Sequence, residues 1–245
     1  IDFLEPEYED VVLDPAGGSG GFLTSALRRG RSSILHSPGT NASKERRLSV
    51  FRNHLFMVEV SRRLVKVAKT AMILNGDGHA GMTQGDSLGP YSDLDAAIRE
   101  GCPRHRPTVV VTNPPFAGVG EGRIRDAATL RQFAVGRRWT EIDRDYRPTD
   151  ELIPDGAPPE LLFFERVLDW TAPGGRFGIV LPKSFLDTAI FRSARSLLFT
   201  KARLLAVVNC YKNTFQPYTG VRTCIIFGQK LQEGESVGTD YNIFM

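Results

Sequence analysis

The stretch that decides the fold is Asp10-Val-Val-Leu-Asp-Pro-Ala-Gly-Gly-Ser-Gly-Gly-Phe-Leu23. Its first part, Asp10 to Asp14, predicts a short buried strand that ends in a carboxylate. A helix is predicted from about Gly20 to Arg29, because apolar residues follow the glycines without a break. The glycines let the backbone approach a ligand that any Cβ would displace. Strand, glycine loop and helix together indicate a nucleotide-binding turn.

The glycine loop does not match the two common phosphate-binding patterns. A P-loop requires a lysine, and this loop contains none. In the dinucleotide pattern GxGxxG, a start at Gly18 would put Leu23 at the third glycine. Asp14, directly before the loop, would repel a phosphate and favours a cationic or amine-bearing ligand.

Two more carboxylates follow predicted strands. Glu59 ends the apolar run from His54, and Asp86 follows the short strand Met82-Thr83-Gln84. Unpaired carboxylates are costly in a core, whereas the carboxyl ends of parallel strands commonly form a ligand crevice. An acid after the second strand is also where such folds hold the ribose hydroxyls of a nucleoside. The acids therefore predict a nucleoside-binding crevice at one edge of the sheet.

A second motif follows the predicted strand at Thr108–Val111 and reads Thr112-Asn113-Pro114-Pro115-Phe116. Each proline fixes its own φ and pushes the preceding residue into an extended conformation. We expect a rigid tip that offers an amide side chain, outward carbonyls and an aromatic face. That set suits a flat heterocycle with an exocyclic amine. The alternative is a strand end with a proline turn and a phenylalanine in the core.

Residues 117–157 are predicted to form an irregular insertion. From Glu121 to Arg147 there are seven arginines against five acidic residues, with Phe133 and Trp139 among them. Arginines interleaved with aromatics would suit a DNA backbone and its bases. A solvated loop of mixed charge explains the same pattern.

The rest of the chain continues the α/β pattern. A helix is predicted at Pro159–Trp170, and another at about Ile190–Phe199. Strands are predicted at 176–181, 204–209 and 223–227. These bring the number of predicted strands to seven.

Composition bounds the function further. With 245 residues, 41% of them hydrophobic and 24% charged, the chain suits one α/β domain, and it begins at Ile1, which indicates a fragment of a longer protein. The net charge of +3 does not by itself indicate a nucleic-acid partner. Three separated cysteines indicate reduced thiols in the cytoplasm, and four histidines without ligand spacing indicate no metal. No membrane span or signal peptide is visible.

The two motifs together resemble a known family. The loop from Asp14 to Leu23 is similar to the cofactor loop of amino-group DNA methyltransferases, and Asn113-Pro114-Pro115-Phe116 is similar to their catalytic tetrapeptide in its adenine-N6 form. The chain most resembles the modification subunit of type I restriction systems. One departure is Gly17, where the family usually has cysteine.

This resemblance implies a fold and a cofactor. The fold would be the Rossmann-like class I S-adenosylmethionine-dependent methyltransferase fold, an α/β fold with a seven-stranded mixed sheet, helices on both faces and a final antiparallel strand. S-adenosylmethionine would be the methyl donor, and its methionine part would lie over the glycine loop. The implied cofactor-binding residues are Asp14, Pro15, Ala16, Gly17, Gly18, Ser19, Gly20, Glu59, Asp86, Ser87 and Asn113.

The resemblance also implies a substrate and partners. The catalytic residues would be Asn113, Pro114, Pro115 and Phe116, and Phe116 would stack on the target adenine together with Phe215 or Tyr218. DNA, a specificity subunit and a restriction subunit are the implied partners. The family has a segment before the first strand and a target-recognition domain, and we expect both to lie outside this chain.

Three other functions remain open at this point. Asn-Pro-Pro followed by an aromatic also occurs in methyltransferases that act on RNA bases or on protein glutamine. Methylation of cytosine N4 is usually accompanied by serine in place of Asn113. A non-catalytic cofactor-binding subunit is the second alternative, and a dinucleotide-dependent dehydrogenase is the third.

Overall fold

The computed structural model describes residues 1–76, 81–117, 122–142, 145–215, 220–238 and 241–245. These residues form two compact units: 1–112 with 170–176, and 113–169 with 177–245. Among the helices in the described ranges, none has the length and apolar character needed to cross a membrane.

The first unit contains four parallel strands joined by helices. The strands are β1 (Val12–Asp14), β2 (Leu55–Glu59), β3 (Met82–Gln84) and β4 (Val109–Thr112). The helices are α1 (Gly21–His36), α2 (Asn41–Arg52), α3 (Arg62–Leu74) and α4 (Ala96–Gly101). The strand order is β3-β2-β1-β4, and the three neighbouring pairs are all parallel. These strands are apolar on both faces, as expected of a parallel sheet covered by helices.

Helix α1 is longer than predicted. It continues past Arg29 to His36, although residues 28–53 are basic and polar, a pattern that predicts a solvated connection. Gly30 and Ile34 are buried in this extension, and a Cβ on Gly30 would overlap the ring of Phe51 in α2. The close contact between α1 and α2 therefore extends the helix where local composition favours a loop.

The sequence predicts a cap at Ser61 and an inward apolar stripe for α3, formed by Leu64, Val67, Ala68, Ala71 and Met72. This stripe is partly wrong. Ala68 and Met72 are fully buried, but Leu64 is 36% and Val67 45% exposed, and Val65 takes an inward position instead. The predicted cap at Ser61 is confirmed, since its side chain accepts a hydrogen bond from the Leu64 amide at 3.3 Å.

The remaining elements lie mainly in the second unit. The helices are α5 (Ala127–Arg131), α6 (Pro159–Trp170) and α7 (Arg192–Lys201). The strands are β5 (Arg137–Ile142), β6 (Asp145–Leu152), β7 (Arg176–Pro182), β8 (Ala202–Asn209) and β9 (Thr223–Lys230). Strands β7, β9 and β8 complete a seven-stranded sheet, with β9 antiparallel to β8. The predicted α/β class and mixed seven-stranded sheet are confirmed.

The prediction that residues 117–157 are irregular is wrong for most of their described part. Helix α5 and the antiparallel hairpin β5–β6 lie in this segment. Trp139 packs on Tyr146 with ring centroids 5.3 Å apart, and its Nε1 donates to the Ala134 carbonyl at 2.8 Å. Phe133 is 2% exposed beneath the guanidinium of Arg166. Because Trp139 and Phe133 serve the packing of this segment, the suggestion that they stack on nucleic-acid bases is not supported.

Candidate active site

The glycine loop leaves β1 in a tight turn. The Gly17 amide donates to the Val58 carbonyl at 3.1 Å, and the Gly20 amide donates to the Gly17 carbonyl at 2.8 Å. Gly18 and Gly20 have φ angles of 54° and 81°, in the left-handed region that side chains with a Cβ rarely adopt. A Cβ on Gly18 would meet no atom within 4 Å, so this point of the loop faces open space.

Asp14 is buried at the start of this loop, with 1% of its surface exposed. Burial, with a smaller contribution from the charge of Glu59, raises the pKa of its carboxyl to about 7, against the lowering effects of the Thr112 hydroxyl and the Ala16 amide. The Ala16 amide donates to Asp14 Oδ1 at 3.1 Å. The Thr112 hydroxyl lies near the Asp14 carboxyl and lowers its pKa, but the two groups do not form a hydrogen bond of good geometry. A cation beside Asp14 would therefore bind the ionised form and lower this pKa again.

Glu59 holds the glycine loop against the end of β2. Its Oε2 accepts from the Gly18 amide at 2.9 Å, and its Oε1 accepts from the Ser61 amide at 2.8 Å. A carboxylate oxygen has more than one lone pair, so these bonds leave acceptor sites for ligand hydroxyls. The sequence predicted Glu59 as a ligand residue and missed this second role in shaping the loop.

The loop after β3 reaches the glycine loop through Ser87. Its hydroxyl is buried and donates to the Pro15 carbonyl at 2.6 Å. Asp86 is exposed, and its Oδ1 accepts from the Leu88 amide at 2.9 Å. Ser87 is thus a structural support for the loop, while Asp86 presents its carboxylate at the surface.

Gly17, the departure from the family pattern, fits tightly against β2. A Cβ at this position would lie 2.8 Å from atoms of the Met57 side chain, which is itself fully buried. A cysteine here would require Met57 to move. The Met57 side chain therefore occupies the space that a side chain at position 17 would need.

Replacing Gly20 with alanine is expected to lower the free energy of unfolding by about 1–3 kcal/mol. The alanine would hold an unfavourable φ of 81°, and its Cβ would lie 2.9 Å from the Cβ of Ala68. Urea titration measures the change. Gly21→Ala is the matched control, because its Cβ would meet nothing within 4 Å. Equal effects of the two substitutions would contradict a specific conformational role for Gly20.

The tip begins immediately after β4, in the second unit. Asn113 and Pro115 are exposed, Pro114 is buried and Phe116 is half-buried. The buried proline anchors the tip while the Asn113 side chain stays accessible. Phe116 is not a core residue, so the alternative of a simple proline turn with a core phenylalanine does not fit.

A buried carboxylate that the sequence analysis missed holds the end of the tip. Glu160, 4% exposed in the first turn of α6, accepts from the Ala117 amide through Oε2 at 3.0 Å. Burial raises the pKa of this carboxyl. The available signal was an acid directly before the apolar run 161–164, because a buried carboxylate needs a specific partner.

Helix α6 carries a second, half-buried carboxylate five residues further on. Glu165 accepts from the amides of Ala134 and Val135 at 2.9 and 2.8 Å, and burial raises its pKa. Through these hydrogen bonds, the two acids of α6 hold the backbone before and after residues 122–133. Phe215, proposed for base stacking, is half-buried in the loop after β8, and Tyr218 lies outside the described residues.

Comparisons with known proteins identify the family. A family model described as N-6 DNA Methylase matches residues 1–244. The chain belongs to this family. It is 24% identical over 240 residues to the type I restriction enzyme EcoEI methylase subunit of Escherichia coli, which covers 97% of this chain and 41% of that protein. The chain thus spans about two fifths of the length of that relative.

Solved structures support the fold of this member of the family. The type I restriction enzyme EcoKI M protein superposes with a TM-score of 0.65 at 22% identity, covering 93% of this chain and 41% of that one. A Listeria monocytogenes protein described as a class I S-adenosylmethionine-dependent methyltransferase superposes with a TM-score of 0.61 at 16% identity, covering 96% of this chain and 58% of that one. The predicted class I methyltransferase fold is confirmed.

Proposed function

We propose that this protein transfers a methyl group from S-adenosylmethionine to the N6 amino group of adenine in DNA. The observation that supports the proposal most strongly is the exposure of Asn113 at the tip of this N-6 DNA Methylase family member. The neighbouring Pro114 is buried. A core role would bury the asparagine, and a non-catalytic subunit would not need its free acceptor. The activity belongs to a restriction-modification or related defence system.

The glycine loop fits the proposed cofactor. Gly18 faces open space, so a ligand can approach the loop backbone closely. Asp14 supplies a buried acid for the cationic methionine end, and Glu59 supplies acceptors for ribose hydroxyls. Asp86 is available for the adenine amino group of the cofactor. S-adenosylmethionine, when bound, supplies an electrophilic methyl group on a sulfonium.

The tip has the groups that this substrate needs. An aromatic amine is a poor nucleophile, because its lone pair is delocalised into the ring. The Asn113 side-chain oxygen and the Pro114 carbonyl can each accept one N6 hydrogen. Two such bonds draw the amine towards a tetrahedral geometry and localise its lone pair on nitrogen. The rate gain then comes from positioning and preorganised acceptors.

The target adenine must leave the duplex to reach these acceptors. Flipping costs a few kcal/mol. Stacking on Phe116, with Phe215 from the loop after β8, would recover about 1–3 kcal/mol per base. We place sequence recognition in a specificity subunit, with a restriction subunit as a further partner in the cytoplasm, because relatives of this chain are named as methylase subunits of type I restriction enzymes.

Expression of the full-length protein with its co-encoded partners in a host that lacks DNA methylation tests the proposal. Genomic DNA digested to nucleosides should contain N6-methyladenine. N4-methylcytosine instead would move the target to cytosine. Unmethylated DNA with methylated RNA or protein glutamine would support the alternative substrates. No methylated product, with cofactor binding intact, would support a non-catalytic subunit.

Replacing Glu160 with alanine is expected to lower kcat for methyl transfer about tenfold or more, because the Ala117 amide loses its acceptor and the tip loses its position. The dissociation constant of S-adenosylmethionine should not change. Glu160→Gln keeps an acceptor oxygen and should restore most of kcat. Equal kcat values for the two variants, or weakened cofactor binding in both, would contradict a positioning role.

A further inference from the structure

The second unit contains a basic pocket of about 230 Å³ that the mechanism above does not use. It is lined by Lys183, Asn209, Cys210, Tyr211, Lys212 and Arg222. Three of these six side chains are cationic and none is acidic.

Backbone hydrogen bonds between three strand ends build the pocket. The Lys183 amide, just after β7, donates to the Arg222 carbonyl, just before β9, at 2.8 Å. The Cys210 amide, just after β8, donates to the Thr223 carbonyl at 3.0 Å. Two of the three cations, Lys183 and Arg222, therefore lie at strand ends that a backbone hydrogen bond holds together.

The cations of the basic pocket lack counter-charges in the described part of the chain. Lys183, Lys212 and Arg222 are exposed, and no ion pair joins any of them to a described carboxylate. Other arginines of the same unit are paired with acids: Arg137 with Asp150, Arg138 with Glu151, Arg192 with Glu141 and Arg203 with Glu235. Like charges gathered in one cleft repel one another and raise the local concentration of anions.

We propose that the basic pocket binds a backbone phosphate of the DNA strand that carries the target base. This inference rests on the proposed function. Phe215, the stacking residue of that proposal, lies in the segment that connects Lys212 to Arg222. A base stacked on Phe215 would bring its phosphate near the side chains that flank this segment. Lysine and arginine contacts to phosphate fix the position of a strand without reading its sequence.

Salt dependence of DNA binding tests this assignment on the full-length protein with its partner subunits. Fluorescence anisotropy with a labelled duplex gives the slope of log K against log salt concentration. Lys183→Ala and Arg222→Ala should each reduce the magnitude of this slope by about 0.9, as expected for one lost phosphate contact. Lys183→Arg should keep the slope. Arg46→Ala, on the exposed surface of α2, is the matched charge control and should leave it unchanged.

Methyl transfer is measured on the same variants. We expect Lys183→Ala and Arg222→Ala to raise KM for DNA several-fold and to retain most of kcat. Slopes equal to that of Arg46→Ala would overturn the phosphate site, even if methylation of DNA is normal. A different outcome is that the wild-type complex transfers no methyl group to DNA, while Lys183→Ala and Arg222→Ala still reduce the slope. That result would retain the phosphate site and reject the proposed function.

Discussion

Replacing Asn113 with alanine is expected to lower kcat for methyl transfer by about 10²–10³-fold, the range found when one preorganised polar group is removed from an active site. The exposed amide supplies one of the two proposed acceptors for the N6 hydrogens, and its loss leaves the lone pair delocalised. The dissociation constants for S-adenosylmethionine and DNA should stay within about twofold. Single-turnover transfer and equilibrium binding measure the two effects separately.

Asn242→Ala is the control for this experiment, because Asn242 is an exposed asparagine outside the tip and the loop. It should transfer methyl groups at the wild-type rate. If Asn113→Ala lost cofactor affinity in the same proportion as activity, its side chain would belong to the cofactor site, and the acceptor role would be wrong.

Asp14→Asn is expected to stabilise the chain at neutral pH while weakening the cofactor complex. The Asp14 carboxyl has a pKa of about 7 in the fold, against an ordinary value of 3.8, so its stabilising contribution is present below pH 4 and is lost as the pH rises towards 7. The difference between these two pKa values corresponds to about 4 kcal/mol of the free energy of unfolding. Asparagine keeps an oxygen for the Ala16 amide and removes this ionisation cost.

Two measurements check this prediction for Asp14. Urea titration between pH 4 and pH 8 should give a smaller pH dependence for Asp14→Asn than for the wild type. Calorimetry should show at least tenfold weaker S-adenosylmethionine binding by the variant, and wild-type affinity that falls below pH 7, where Asp14 takes up a proton. Unchanged cofactor affinity in Asp14→Asn at pH 8 would remove Asp14 from the cofactor site.

Elements whose local pattern agrees with their packing were predicted well. Helix α6 was found at its predicted bounds, because its apolar residues are periodic and Pro159 marks its start. Strands β1 and β4 are continuous apolar runs in a parallel sheet. Asp14 and Asn113 stand at the ends of these strands, so their positions could be predicted from sequence alone, while their roles stay predictions.

Features that depend on distant contacts could not be predicted in the same way. The hairpin β5–β6 is mostly polar and contains Pro148, and its cross-strand ion pairs and the contact of Trp139 with Tyr146 emerge only from its register. Glu160 acts on Ala117, a partner 43 residues away. The fit of Gly17 against Met57 likewise joins positions that no local pattern connects.

The most direct test of the account is transfer of a labelled methyl group from S-adenosylmethionine to genomic DNA by the full-length protein with its partners. The product is digested to nucleosides, and Asn113→Ala is assayed beside the wild type. We expect label in N6-methyladenine for the wild type and almost none for the variant at equal cofactor binding. Label in another base, in RNA or in protein, or equal labelling by the two proteins, would contradict it.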